Sequence, residues 1–214
     1  MMRVLFGYRR IFSLIVFVVI GVLSGSIPKI EANSYDPLAV STIYSPQTID
    51  LVVRDTTRDR EIPILVYLPE NNAPAPVVLF SHGLGGSRYG SAYLGRHWAL
   101  RGYVVVFIQH PGSDSSVWQN KPRDKRMPAM ENAASVRNFM LRVKDVPAVL
   151  DQLKIWNAAS AHPLTGRLDL KRVGMSGHSF GAITTQAVSG ESFLSGAASL
   201  TDTRIKAAII LSPS

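Results

Sequence analysis

The 214-residue chain contains no cysteine. That absence excludes disulfide bonds, thiolate metal sites, a cysteine nucleophile and a lipid-bearing cysteine anchor. It leaves the compartment open, because exported proteins can lack cysteine too. Histidine is sparse, five in all, and no His/Asp cluster has ligand spacing, so neither a metal nor a cofactor is implied. No internal repeat is present. Aromatic residues are not interleaved with basic ones along any stripe, so the formal charge of +8 does not point to nucleic acid. Arg3, Arg9, Arg10, Lys29 and Glu31 all precede residue 33. Without them nineteen basic residues face fourteen acidic ones, a net charge of +5. Part of that remainder is the cluster Lys121, Arg123, Lys125 and Arg126, interrupted by Asp124, which reads as a solvated loop.

What is present describes a globular protein. An apolar content of 46% and a charged content of 18% are those of a folded domain, and the length suits one domain with a substantial core. The first 32 residues read as a targeting segment. Arg3, Arg9 and Arg10 precede the apolar run from Ile11 to Leu23, and small residues follow at Ser24-Gly25-Ser26 and Ala32. The run is shorter than the ~20 residues a spanning helix needs. A cleaved signal peptide and a secreted or periplasmic protein are expected, with a retained membrane anchor as the alternative. Residues 33–47 form an extended lead-in, and residues 48–214 the core.

In that core, Ile49–Arg54 and Ile62–Leu68 read as an antiparallel hairpin at a sheet edge. Val77–Phe80 and Tyr103–Ile108 are continuous apolar runs, as strands buried on both faces require. Between them lie a glycine-rich loop and a helical pattern around Ala92–Leu100, giving a βαβ unit. Residues 111–130, polar and bearing prolines, are expected to be a lid or binding loop. Helical spacing then runs from Ala133 to Val143. A second helix is expected from Val146, with Asp145 as its cap and Pro147 in its first turn. Alternation of apolar strands with helices indicates an α/β sheet, whose ligands bind beyond the carboxyl ends of the strands. Gly83–Gly86, His110–Asp114, Ser179 and Ser212 should converge there.

The sharpest motif is Gly177-His178-Ser179-Phe180-Gly181, placed between the apolar strand ending at Ser176 and a helical pattern starting at Phe180. Strand, serine flanked by glycines and helix are the order of a nucleophile elbow. The turn leaves no room for a Cβ at 177 or 181, and it exposes the serine Oγ in a strained backbone conformation. Phe180 opens the helix, so its N–H and the helix dipole face the space beside Oγ.

Together with His82-Gly83-Leu84-Gly85-Gly86 after an earlier strand, this motif resembles the α/β-hydrolase superfamily. More narrowly, it is similar to the serine esterase branch holding platelet-activating-factor acetylhydrolases and dienelactone-hydrolase-like proteins. The resemblance covers about residues 48–214. It implies an α/β-hydrolase fold: a mostly parallel sheet, an N-terminal antiparallel hairpin and helices on both faces. It also implies a carboxylic-ester hydrolase acting on a small-molecule or lipid ester, with Ser179 as nucleophile and the N–H groups of Leu84 and Phe180 as oxyanion hole. His82, Gly83, Gly85, Gly86, Gly177 and Gly181 would support loop and elbow, and His110 could line the pocket. His178 is expected to face away from Oγ as a packed or hydrogen-bonded histidine.

A serine hydroxyl needs a base, and the base an orienting acid. In this superfamily both follow the serine in the chain, acid before histidine. No histidine follows His178, and Glu191 and Asp202, the only acids beyond Ser179, precede the last strand, Ile205–Leu211. The expectation is therefore that acid and histidine lie beyond Ser214, the chain being truncated after that strand. The alternative is a non-catalytic α/β-hydrolase-like fragment or binding protein. An acyltransferase or peptidase on the same scaffold is a third reading.

Overall fold

The computed structural model describes residues 36, 44–191 and 199–213. The expected targeting segment and nearly all of the lead-in lie outside the described residues. The chain divides after Ala39, and the fold below is that of the second unit.

Six strands form one sheet in the order β1-β2-β4-β3-β5-β6. β1 (Gln47–Asp55) and β2 (Arg60–Leu68) are the expected hairpin, paired antiparallel from Gln47 opposite Leu68 to Asp55 opposite Arg60. β2 also runs antiparallel to β4 (Val104–Ile108). β3 (Ala75–Ser81), β4, β5 (Leu168–His178) and β6 (Ile205–Leu211) are mutually parallel. The alternating residues of β2 sort onto the two faces of the sheet. Ile62, Ile64, Val66 and Leu68 join Val77, Leu79, Val104, Val106 and Ile108 on one face. Leu65 and Tyr67 join Phe80, Val105 and Phe107 on the other.

Helices cover both faces, so the fold is the α/β-hydrolase architecture expected. α1 (Ala92–Leu100) lies over the aromatic face, where Ala99, Leu94 and Trp98 pack on Phe80 and Phe107. The long helix α4 (Val136–Ala158) and the elbow helix α5 (Phe180–Val188) cover the opposite face through Val143, Val146, Val149, Leu150, Leu153, Ala187 and Val188. β6 stands at the sheet edge, and its Ile209 and Ile210 are exposed.

Two local expectations are corrected. The stretch 111–130, read as a loop, holds the short helix α2 (Ser116–Gln119), and α3 (Arg123–Ala133) begins within it, with Pro128 inside. The two helices expected to meet at Asp145 are one helix, α4, capped by Ser135, whose side chain accepts from the Asn138 N–H. Pro147 removes one helical N–H and crowds the preceding turn. In that turn Arg58, from the hairpin, donates to the carbonyls of Leu141 and Lys144, which holds the turn in place from outside the helix. Asp145 is not a cap but the ionic partner of the hairpin arginines.

Candidate active site

The carboxyl ends of β3, β4 and β5 meet at one rim. At the end of β5 the chain turns through Ser179, whose φ of 52° and ψ of −119° are sterically unfavourable for a residue with a side chain. Such a conformation costs on the order of 1–3 kcal/mol and persists only when its surroundings fix it. Here they do so from both sides: the Ser179 N–H donates to the Leu211 carbonyl at 3.0 Å, and its carbonyl accepts from Ala182 at 2.8 Å. Gly177 and Gly181 are required by close approach. A Cβ on Gly177 would overlap the Gly181 carbonyl, and one on Gly181 would overlap the Ser81 carbonyl at the end of β3. Phe180 and Gly181 open α5, where helical N–H groups have no carbonyl one turn earlier in the helix to accept from.

The His82–Gly86 loop lies across from the elbow; a Cβ on Gly83 would stand 3.5 Å from that of Ser179. Gly85 needs its glycine twice, for a φ of +70° and because Trp118 and Met130 crowd it at 3.0 Å. The loop is tied to the segment after β4: Gly85 N–H donates to Ser113, Ser115 N–H donates to Gly86, and the Trp118 indole donates to the Gly85 carbonyl at 2.8 Å. Leu84, Ser179 and Phe180 line one cavity of about 500 Å³, whose far wall is Ser135, Val136 and Phe139 of the α4 start and Ile183 of α5. That is the size and apolar character of a small-molecule site. Thus the nucleophile candidate and both oxyanion candidates share one space.

The histidines divide differently from the expectation. His110 does not line this cavity. It is fully buried, its Nδ1 3.0 Å from Asp145 Oδ2 and its Nε2 2.9 Å from Ser81 Oγ. A carboxylate can only accept, so Nδ1 carries the proton and Nε2 accepts from the Ser81 hydroxyl. The arrangement repeats the wiring of a Ser–His–Asp triad, yet Ser81 is buried like the other two and no substrate can reach it. Burial lowers His110 to about 4, aided by the Arg142 charge and opposed by Asp145. Burial alone would raise the Asp145 carboxyl, but hydrogen bonds from His110 and Arg60 hold it below its ordinary value.

His82 is also buried and neutral. Its Nε2 accepts from the His110 N–H at 3.1 Å, so Nδ1 bears the proton and donates to the Gly83 carbonyl at 2.6 Å. Burial first, then the positive charge of Arg142, pushes its pKa well down. His82 therefore holds the loop. His178, expected as a packed or hydrogen-bonded residue facing away from Oγ, is exposed rather than packed. Among the described residues no group of three or more His, Cys, Asp or Glu is placed to hold a metal ion.

Sequence reasoning missed Arg142. It is fully buried in α4 and reaches Ser81 Oγ, the His82 and Gly83 carbonyls, Ser113 Oγ and the ring of Phe180. A signal was available: Arg142 and Asp145 stand on the apolar stripe of the helix, flanking Val143 and Val146, where a charge is costly unless it has partners.

Comparison with known proteins bears on the fold. A family model described as platelet-activating factor acetylhydrolase, isoform II, matches residues 65–148. The chain is similar to a ferulic acid esterase from Streptomyces cinnamoneus, with 20% identity over 68% of this chain and 55% of that one and a TM-score of 0.51. It is also similar to a protein described as a putative dienelactone hydrolase from Klebsiella pneumoniae subsp. pneumoniae, with 14% identity, coverage of 78% and 60%, and a TM-score of 0.54. The chain therefore spans less than two thirds of the length of either.

Proposed function

We propose that the chain, whose fold is that of the α/β-hydrolases, is an exported serine hydrolase of carboxylic esters working through an acyl-enzyme on Ser179. The observation that carries this reading is the strained Ser179 sharing its cavity with Leu84 and Phe180. In the proposed step Ser179 Oγ bonds to the ester carbonyl carbon, the carbonyl oxygen becomes an oxyanion held by the Leu84 and Phe180 N–H groups, and the alkoxide leaves with the serine proton. Water then hydrolyses the acyl-serine. Each oxyanion donor is worth about 3 kcal/mol of barrier. The apolar cavity fits the acyl or alcohol portion of a small-molecule or lipid ester.

A fluorophosphonate probe tests the reading on the full-length protein. Labelling is expected at Ser179, abolished in Ser179→Ala, and blocked by p-nitrophenyl acetate, itself turned over only by the wild type. A probe that leaves Ser179 unmodified would overturn it. One observation favours a second reading: His82 and His110, the buried histidines of this rim, are committed to Gly83, Ser81 and Asp145. A protein that binds esters in the cavity without turning them over would establish that non-catalytic alternative.

A further inference from the structure

Arg142 is an unusual residue to bury. Its hydrogen-bond partners among the described residues are carbonyl and hydroxyl oxygens rather than a carboxylate, so its charge is not neutralised by direct contact. For packing alone an apolar side chain would serve as well or better. Its donors instead reach two segments, and its guanidinium faces a third, that must agree for acyl transfer. Nη1 donates to the His82 carbonyl at 2.8 Å, Nε to Ser113 Oγ at 2.8 Å, and Nη2 to the Gly83 carbonyl at 3.3 Å. The guanidinium carbon lies 4.5 Å from the centre of the Phe180 ring.

The Gly83 carbonyl belongs to the same planar peptide as the Leu84 N–H. In a trans peptide these two groups point in opposite directions. Three donors converge on that carbonyl: Arg142 Nη2, His82 Nδ1 at 2.6 Å and the Gly86 N–H at 3.0 Å. Fixing one end of the peptide fixes the other. A charged donor on the carbonyl also polarises the peptide and strengthens its N–H as a donor.

We propose that Arg142 is a positioning residue for acyl transfer, fixing the Gly83–Leu84 peptide and the Phe180 ring so that the Leu84 and Phe180 N–H groups converge on the oxyanion. The inference rests on the esterase reading above. Arg142 acts through these groups and does not touch the substrate. Lysine keeps the charge but cannot span His82, Gly83 and Ser113 with one planar fork.

The test uses the full-length protein and a p-nitrophenyl ester. Arg142→Lys is expected to lower kcat about 10- to 100-fold with KM within twofold. Its affinity for an alkylboronic acid, which forms a tetrahedral adduct on the serine, should fall by the same factor. Affinity for an unreactive alkyl amide of the same chain length should stay unchanged, which a collapsed cavity would not allow. Should Arg142→Lys fail to fold, Ser113→Ala removes a single partner of the guanidinium, and a 2- to 5-fold loss in kcat at constant KM is expected. Unchanged kcat in a folded Arg142→Lys, or equal losses of boronate and amide affinity, would overturn the inference while leaving the esterase reading intact. A wild type without Ser179-dependent turnover would overturn both.

Discussion

Gly181 lies where the first turn of α5 crosses the end of β3, and the obstacle to a side chain there is backbone rather than a movable group. A methyl would overlap the Ser81 carbonyl and stand 2.8 Å from that of His82, the same two residues that carry Arg142 and the His82–Gly86 loop. Gly181→Ala is therefore expected to cost about 3 kcal/mol or more, as overpacking against rigid neighbours does, and to suppress probe labelling of Ser179. Gly102 is the control. Its φ of +87° disfavours a side chain, but nothing lies within 4 Å of the added carbon, so Gly102→Ala should cost only backbone strain of about 1 kcal/mol. Urea midpoints of the two variants check the contrast. Equal midpoints would mean that the elbow can shift away from β3, contrary to the close packing argued for Ser179.

Among the elements, α4 does the most to join hairpin, sheet and site. Its apolar stripe from Val143 to Leu153 was legible because helical spacing survives any local irregularity. Its continuity was not: Pro147 and Asp145 have the composition of a helix start, whereas the ties that hold this turn come from Arg58, 83 residues from Leu141 in sequence. The same holds for α2 and α3, where Pro122 and Pro128 and a run of charges read as a loop. Trp118 pins that region through the Gly85 carbonyl, a contact that no local pattern encodes. In contrast, the strand–serine–helix turn and the glycine-rich His82–Gly86 loop were legible because only glycine meets their steric demands, whichever part of the chain supplies the obstacle. Asp145 is where this long-range wiring can be measured. Its buried carboxylate accepts from Arg58, Arg60 and His110, so Asp145→Asn leaves Arg60 without its counter-charge and Arg58 with Asp55 alone. A loss of about 3–5 kcal/mol is expected, as for a broken buried ion pair. A urea midpoint close to that of the wild type would show that hairpin and helix hold together without the pair.

For the molecule as a whole, the strand order places β4 beside β3, brings His82 and His110 to adjacent strand ends and buries both. Neither can gain a proton in place without losing a partner: His110 Nε2 accepts from Ser81, and His82 Nε2 accepts from the His110 N–H. Burial lowers His110 from 6.5 to about 4 and holds His82 well below its ordinary value. The unfolded chain therefore binds more protons than the folded one over that interval. Stability must then rise with pH between about 4 and 6.5, and fall as the solution is acidified. At ~1.4 kcal/mol for each pH unit between its unfolded and folded values, His110 alone accounts for about 3 kcal/mol. The carboxylates do not blur this window. Asp55, lowered to about 2 chiefly by the Thr57 hydroxyl and then by Arg58 against the effect of burial, loses its contribution only as pH falls below the ordinary carboxylate value, and so does Asp145. The expected outcome is a urea midpoint that is level from pH 8 to about 7 and drops steeply towards pH 4.5. Because the same two histidines hold the loop that bears Leu84, Ser179 labelling by the probe should decline over the same range. A midpoint independent of pH across that interval would mean that the rim accommodates charged imidazoles, and that the His82–Gly86 loop does not depend on their neutrality.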